Sequence, residues 1–472
     1  MPPEQTPADD FLTWYNDLVI RTELAEPTEI TGCNSVKPYG YAIWEFMQRD
    51  LDRRIQELDV KNMYFPSIMP ALLAEQKNAG TKNLPDAADT ANITGTVELL
   101  HQASAGETLI CTSFAGWIRT YRDLPLRINQ WTGKTRPETS PVPFLRDTEF
   151  LFQEGLTAHT TEEEASDTAN LVQSLYKDFM QEILSIPVVS GRKPAHTTRQ
   201  GADTSYTNEA LSRNGKAIQL SACHLLSRGF SQAYDIRFQN AEGQTEQPFF
   251  SNWSTSMRLI GAVIMVHADD NGLRLPPAVA PVQIVIVPMT SDAVMRDKIL
   301  EKSVELRQKW PQLRVTTDNR ENVTEAIKSA EWERKGVPIR IEIAADNMQQ
   351  DTLAVIRRDT GETQTIRMES CSSSFLDSLL AEIQGNMFRE ATLRLQDHTY
   401  ECHSFEEMNN YLTHTGGFLW APWDGLSDTA TRIHDATHAS ILLVEQRENI
   451  ADQRDILSGN PAKYMALFAM SL

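Results

Sequence analysis

Cysteine is scarce in this chain. There are five in 472 residues, at positions 33, 111, 223, 371 and 402, and none forms a Cys-x-x-Cys pair. That spacing argues against a disulfide framework and a zinc knuckle, leaving each as a buried or partly buried thiol in a reducing compartment. Long apolar runs are missing too: none reaches the ~18–20 residues needed to cross a bilayer. Met1 to Asp10 are polar and acidic, without the basic start and apolar stretch of a secretory leader. Positive charge is in deficit, with 44 Lys and Arg against 64 Asp and Glu and a net charge of −20. Such a chain does not coat DNA or RNA non-specifically, because phosphate contacts need Lys and Arg. The expectation is a soluble cytoplasmic protein with no membrane or DNA partner. A local basic patch docking one shaped RNA stays open: Arg334, Lys335 and Arg340, or Arg357–Arg358, are candidates, with a solvated surface as the alternative.

What is present is an ordinary globular balance, 41% hydrophobic and 23% charged. The length exceeds one core and suits two to four domains. Ile43, Met47, Leu51 and Ile55 recur at helical spacing, and Met63–Pro66 and Ile68–Pro70 read as strand with proline breaks. That helix and strand fit a dimer-forming element or packing within one chain. Residues 76–108, rich in Gly, Ala, Asn, Thr and Asp, read as a variable loop. From 109 to 280 strands mix with helices without a repeated βαβ rhythm. Strands are predicted at 149–154, 217–221 and 233–238, and helices from an N-cap at Thr160 and over 256–267. This favours an antiparallel sheet flanked by helices. Pro276, Pro277 and Pro281 mark a boundary. An α/β unit follows, then helix over 374–412 and a small mixed tail over 416–472.

Ordered runs carry the reading further. Lys37-Pro-Tyr-Gly-Tyr-Ala-Ile-Trp-Glu45, Arg119-Thr-Tyr-Arg-Asp-Leu-Pro125, Phe144-Leu-Arg-Asp-Thr-Glu-Phe-Leu-Phe-Gln-Glu-Gly155, Arg258-Leu-Ile-Gly-Ala262, Ala330-Glu-Trp-Glu-Arg-Lys-Gly336 and Pro461-Ala-Lys-Tyr-Met-Ala-Leu-Phe468 follow one another in family order. Together they resemble class II prolyl-tRNA synthetases over nearly the whole chain. The likeness is to the archaeal and eukaryotic type without an editing insertion, as a divergent paralogue. The resemblance implies an α+β fold: a dimeric synthetase domain on an antiparallel sheet flanked by helices (1–280), an α/β anticodon-binding-like domain (281–370) and a small α+β C-terminal domain (371–472). It also implies ATP-dependent formation of an aminoacyl-adenylate and transfer of the acyl group to tRNA.

By the same resemblance, Arg136-Pro-Glu138 matches the Arg-x-Glu of the second motif, whose arginine meets the α-phosphate and whose glutamate meets the adenine side. Arg146, four residues before Phe150, matches the γ-phosphate arginine, Arg258 the third-motif arginine, and Gln219 a position beside the nucleotide. Forked guanidiniums suit phosphate, so ATP with Mg²⁺ is implied, and Arg136 and Arg258 are the implied catalytic groups. Pro137 departs from the family's bulky residue and removes a donor.

The amino-acid side departs more. The family's Arg-Pro-Thr-Ser-Glu holds the proline amine. Here Thr112 keeps the threonine, Phe114 replaces the glutamate, and about two helical turns after it are missing. Trp-Gln-Glu-Gly-His becomes Phe152-Gln-Glu154-Gly-Leu156, Gly-Thr-Ser-His becomes Ser221-Ala-Cys223-His224, and Ser254 replaces a glycine. Glu154, His159 and His224 remain as polar groups, or as hydrogen-bonded core residues. Cys223 beside His224 makes a poor nucleophile–base pair, because neighbours on a strand face opposite ways. A buried ammonium without its carboxylate is costly, so ordinary proline is not the expected substrate. In the tail, Asp424, Thr429, Asp455 and Ser458 stand where the family has zinc cysteines, so no metal is expected there. Two readings stay open: a ligase with a changed pocket, serving tRNA or another acceptor, as in a biosynthetic pathway, and a non-catalytic protein reusing the frame for binding or regulation. A working prolyl-tRNA synthetase is a third.

Overall fold

The computed structural model describes residues 8–66, 68–70, 92–93, 100–102, 107–136, 138–448 and 450–472. Pro137 and most of the 76–108 loop lie outside the described residues. Its described fragments, Asn92–Ile93 and Leu100–Gln102, pair in a small antiparallel sheet with Ile68–Pro70, and a helix begins at Glu107.

The helical spacing read between Ile43 and Ile55 is one helix, Pro38–Gln56. Ile43, Trp44, Met47, Leu51 and Ile55 are all buried, and Pro38 sits in the first turn, where its missing N–H costs nothing. The helix packs against Glu162–Glu182 and Arg258–His267, and the last two lie on one face of an antiparallel sheet. In spatial order that sheet runs Val189–Arg192, Thr204–Leu211, Ala217–Ser227, Phe249–Ser256, Glu149–His159 and Leu126–Thr135, with Lys61–Asn62 added in parallel. Every residue from Leu259 to His267 is buried, so this short helix is a wedge between sheet and outer helices. Its core includes Val172, Tyr176, Phe179, Cys223, Trp253 and Ile264. The opposite sheet face is left for the site.

A second unit is a five-stranded mixed sheet. Val315–Thr317, Ile284–Met289 and Ile339–Ala344 are parallel, and Thr352–Arg357 and Thr363–Arg367 are antiparallel. Leu376, Leu380, Ile383 and Met387 of the long helix Ser373–Asp397 pack into its core. The last unit places Phe418–Trp423, Tyr464–Met470 and Ala439–Glu445 side by side, with Thr399–Glu401 at the edge. The pair Val444↔Arg192 stitches these strands onto the main sheet, making eleven strands among the described residues. The fold is α+β, as expected.

Four local expectations change. Met63–Pro66 is not strand: the strand is Lys61–Asn62, just before it, and the prolines leave 63–66 as extended connection. Residues 233–238 form the end of a short helix, Gly229–Ala233, and the two-residue strand Phe238–Gln239, because Asp235 turns the chain with a φ of 50°. The cap of the long helix is Thr161, whose hydroxyl accepts from Glu164 N–H at 3.2 Å, while Thr160 donates to the Glu164 carboxylate at 2.8 Å. The helical stretch 374–412 is broken by Thr399–Glu401, which pairs with Phe418–Trp423. All five cysteines are free thiols. No described helix is long and apolar enough to cross a membrane.

Candidate active site

Arg136, Glu138, Arg146, Gln219 and Arg258 line one cavity of about 580 Å³, closed on one side by Ser440–Leu442 and Leu472 of the last unit. Arg258 opens its helix, where the peptide dipoles favour an anion. Its guanidinium donates to Leu145 O at 3.1 Å and Gln219 O at 3.3 Å. Burial first, then the positive charge of Arg136, pulls its pKa down to about 10. Arg136 lies 5.2 Å over the Phe150 ring and 4.0 Å from Glu138, and its Nε has no hydrogen-bond partner. Phe150 therefore meets the cavity through Arg136. Behind these, burial pushes Asp147 up to about 6, against the hydrogen bond it accepts from Asn34 at 2.7 Å.

Sequence reading missed Lys193 and Glu209, which line the same cavity. Lys193 donates to Gln219 Oε1 at 3.4 Å, and burial raises the Glu209 pKa. Neither stands in a recognisable local motif. Glu209 is placed by pairing opposite Gln219 across two strands. That register shifts at Asn208/Glu209, and the bulge resets the alternation of Ala217–Ser227. Ile218 and Leu220 thus share the core with Cys223, while Gln219 turns to the cavity. Three guanidiniums and an ammonium around two carboxylates repel one another, and a polyphosphate with forked hydrogen bonding relieves that repulsion. The orphaned Arg136 Nε and the depressed Arg258 fit such a ligand.

The amino-acid residues divide between the two faces of the sheet. Strand pairing puts Ser254 beside Glu154, and Asn252 beside Leu156 and His224, on the face away from the helices. Trp253, Gly155 and Cys223 pair on the helix face, where the buried Cys223 thiol has its pKa raised. His159 also faces that side: its Nε2 meets Thr157 Oγ1 at 2.9 Å, and burial, then Arg127, pulls its pKa to about 4. Cys223 and His159 are thus separated by the sheet from Glu154, Leu156 and His224.

On the site face, Phe114 is fully buried and stacks on Phe250 with ring centroids 6.0 Å apart. Leu156, Ile118 and Ile128 belong to the same apolar cluster. Thr112 sits two residues earlier on the same helix and is exposed. Glu154 is buried beside the cluster and accepts from Gln130 and Asn252 at 3.3 Å each, with Lys134 Nζ at 3.9 Å. Lys134 also lies 4.2 Å over the Phe152 ring. Arg199 donates to Asn252 Oδ1 at 2.9 Å, and His224 Nδ1 meets Ser205 Oγ at 2.8 Å. Glu154, the carboxylate beside this cluster, is already surrounded by donors.

Comparison with known proteins matches three stretches of the chain to family descriptions. The family description "tRNA synthetase class II core domain (G, H, P, S and T)" matches residues 102–267, "Anticodon binding domain" matches 283–377, and "Prolyl-tRNA synthetase, C-terminal" matches 405–472. A protein of Flavobacterium psychrophilum named proline–tRNA ligase is 39% identical over 95% of each chain. Proteins of the same name from Christiangramia forsetii and Bacteroides fragilis are each 36% identical over 98% of each chain. The chain belongs to the prolyl-tRNA synthetase family. It is an ATP-dependent ligase of the class II aminoacyl-tRNA synthetase type.

In the anticodon-binding unit of this family member, four of the five basic residues singled out from sequence, Lys335, Arg340, Arg357 and Arg358, are paired. Arg358 is 7% exposed and meets both Asp269 oxygens, at 2.5 and 2.8 Å; Arg357 is held by Asp359 and Glu382. Lys335 meets Glu23 at 2.6 Å, and Arg340 meets Glu342 at 2.8 Å. These join units and steady the fold, so neither set is a free basic patch. In the C-terminal unit, the residues at the family's zinc positions meet in space. Asp424 Oδ2 accepts from Thr429 at 2.9 Å, Ser458 at 2.8 Å and Asn460 at 3.1 Å, and Asp455 accepts from Asp424 N–H at 3.0 Å. Burial raises the Asp424 pKa, but these bonds and one from Leu426 N–H outweigh it.

Proposed function

We propose that the protein joins ATP to an amino acid other than unmodified proline, and passes the acyl group to tRNA or another acceptor. The substrate carboxylate attacks the α-phosphorus, a P–O bond to pyrophosphate breaks, and the acyl-adenylate remains. Arg136 would neutralise the α-phosphate, Arg146 and Arg258 the rest of the triphosphate, and Glu138 and Gln219 would position the nucleoside. Mg²⁺ favours one or two carboxylates together with phosphates and water, and Glu209 is the cavity carboxylate suited to share it.

The observation that carries the altered pocket is Phe114, buried against Phe250 and Leu156 where the family holds the proline amine. An ammonium entering that cluster would lose its hydration and gain no partner. By its resemblance the chain would be a divergent paralogue of the archaeal and eukaryotic type, a cytoplasmic homodimer divided at 1–280, 281–370 and 371–472, with a C-terminal unit that folds without zinc because Asp424, Thr429, Asp455 and Ser458 stand at the cysteine positions. The ordinary prolyl-tRNA synthetase is favoured by the names of relatives 36–39% identical over nearly the whole chain. A non-catalytic binding or regulatory protein, the other reading of the sequence, is disfavoured by the class II synthetase core and by the ligase names of these relatives.

Amino-acid-dependent ATP–pyrophosphate exchange separates the three. The panel is the standard amino acids and proline analogues, with Arg258→Ala as control. Exchange with one acid other than proline, lost in the control, is expected. Exchange with proline at ordinary efficiency makes the chain a prolyl-tRNA synthetase, and silence without ATP binding makes it a binding protein.

A further inference from the structure

The strand that leads to Arg136 carries a second cation, Lys134, two positions earlier. Strand pairing carries on through Arg136, whose N–H donates to Thr148 O at 2.8 Å, so the two side chains leave the sheet on the same face. Gln130 pairs with Glu154, Thr132 with Phe152 and Lys134 with Phe150. From there the Lys134 side chain runs back over the Phe152 ring, 4.2 Å from its centroid, and brings Nζ to 3.9 Å from Glu154 Oε1. The Lys134 side chain is 21% exposed and that of Glu154 2%, so the pair is largely shielded from water. Amide donors complete the surroundings of the carboxylate. Gln130 donates to Oε2 and Asn252 to Oε1, each at 3.3 Å, and Asn252 is itself held by Arg199 at 2.9 Å.

We infer that Lys134 sets the substrate class: its ammonium stands in for the substrate's own, so the pocket takes an amino acid whose nitrogen carries no charge. N-acylated amino acids and those with the nitrogen in an aromatic ring are of this kind. The inference rests on the altered-pocket reading above and deepens it. Phe114 removes one place for an ammonium, and Lys134 closes the alternative. A carboxylate that already has a cation and two amide donors gives a second cation little in return for its lost hydration. Two ammonium groups about 4 Å apart in a half-buried site also repel one another. A cation tethered to the chain gives up no translational freedom on reaching Glu154, so it outcompetes a free one.

The test is calorimetry on the full chain with three sulfamoyl-adenosine compounds: one prolyl, one cyclopentanecarbonyl (the same ring without its nitrogen) and one without an acyl group. Each acyl compound is read relative to the bare compound in the same protein, so a change at the nucleotide cavity cancels. The wild type is expected to bind the cyclopentanecarbonyl compound about tenfold tighter than the prolyl one. Lys134→Met keeps an apolar stem over Phe152 and frees Glu154, and it should invert that order. Its prolyl compound should gain about tenfold over the bare one. Lys134→Gln, a second uncharged variant, should do the same, and Lys134→Arg should keep the wild-type order. A pocket that merely loosens weakens both acyl compounds and does not invert them. A wild type without preference, or a preference that both uncharged variants retain, overturns the role of Lys134 and leaves the altered pocket standing. A wild type that binds the prolyl compound tenfold tighter than the cyclopentanecarbonyl one overturns both.

Discussion

Phe114 and Phe250 together test whether the amino-acid pocket is filled. A ring of this kind buries roughly 150–250 Å², worth about 4–6 kcal/mol at ~25 cal/mol per Å². Alanine keeps part of that, so Phe114→Ala is expected to cost about 3–5 kcal/mol. Phe250 is equally buried and should cost a similar amount. Because the rings stack at 6.0 Å, the double variant should cost less than the sum, with a coupling of roughly 0.5–1.5 kcal/mol. Urea unfolding followed by fluorescence reads all four proteins, taking the transition of the synthetase domain. Single costs under about 1 kcal/mol, or strict additivity, would mean that the rings do not close the pocket. The argument against proline would then lose its physical basis.

Arg258→Ala should weaken ATP binding about 100-fold or more by calorimetry, since it removes a buried cation aimed at phosphates; an unchanged affinity would place the nucleotide elsewhere. His159 and His267 have pKa values pulled down by burial to about 4 and about 3, so both are neutral in the fold. Below pH 6.5 the unfolded chain binds protons that the fold excludes, so stability is full above that pH and falls as pH drops towards 4. His159→Gln with His267→Gln should flatten that loss in urea titrations at pH 7 and pH 4.5. Asp424→Ala strands four donors and should cost about 1–3 kcal/mol, while a chelator should leave the wild-type melting temperature unchanged.

Much of this was legible in the sequence because it is local. Ile43 to Ile55 show their helix by period alone, and Arg136, Glu138 and Arg146 stand together in the connection between the paired strands Leu126–Thr135 and Glu149–His159. Glu209 and Lys193 were illegible because strand pairing brings them to Gln219, and a bulge decides which way Gln219 points. The two-face division was legible for Cys223 and His224 as neighbours. For His159 and Leu156 it needed the register with Phe249–Ser256. The partner of Phe114 was hidden for the same reason, since Phe250 lies 136 positions away in a different strand. The docking of the last unit on the main sheet depends on Val444 meeting Arg192, a pairing that no motif announces.

The most direct measurement is calorimetric: a non-hydrolysable prolyl-adenylate analogue against the same adenosine compound without its prolyl group. In an ordinary pocket of this family the prolyl group adds a clamped ammonium. Here equal affinities within about threefold are expected, because Phe114, Leu156 and Phe250 occupy that place. A prolyl group that tightens binding 100-fold or more would contradict this, and the protein would be a proline-activating enzyme with a rebuilt amine clamp.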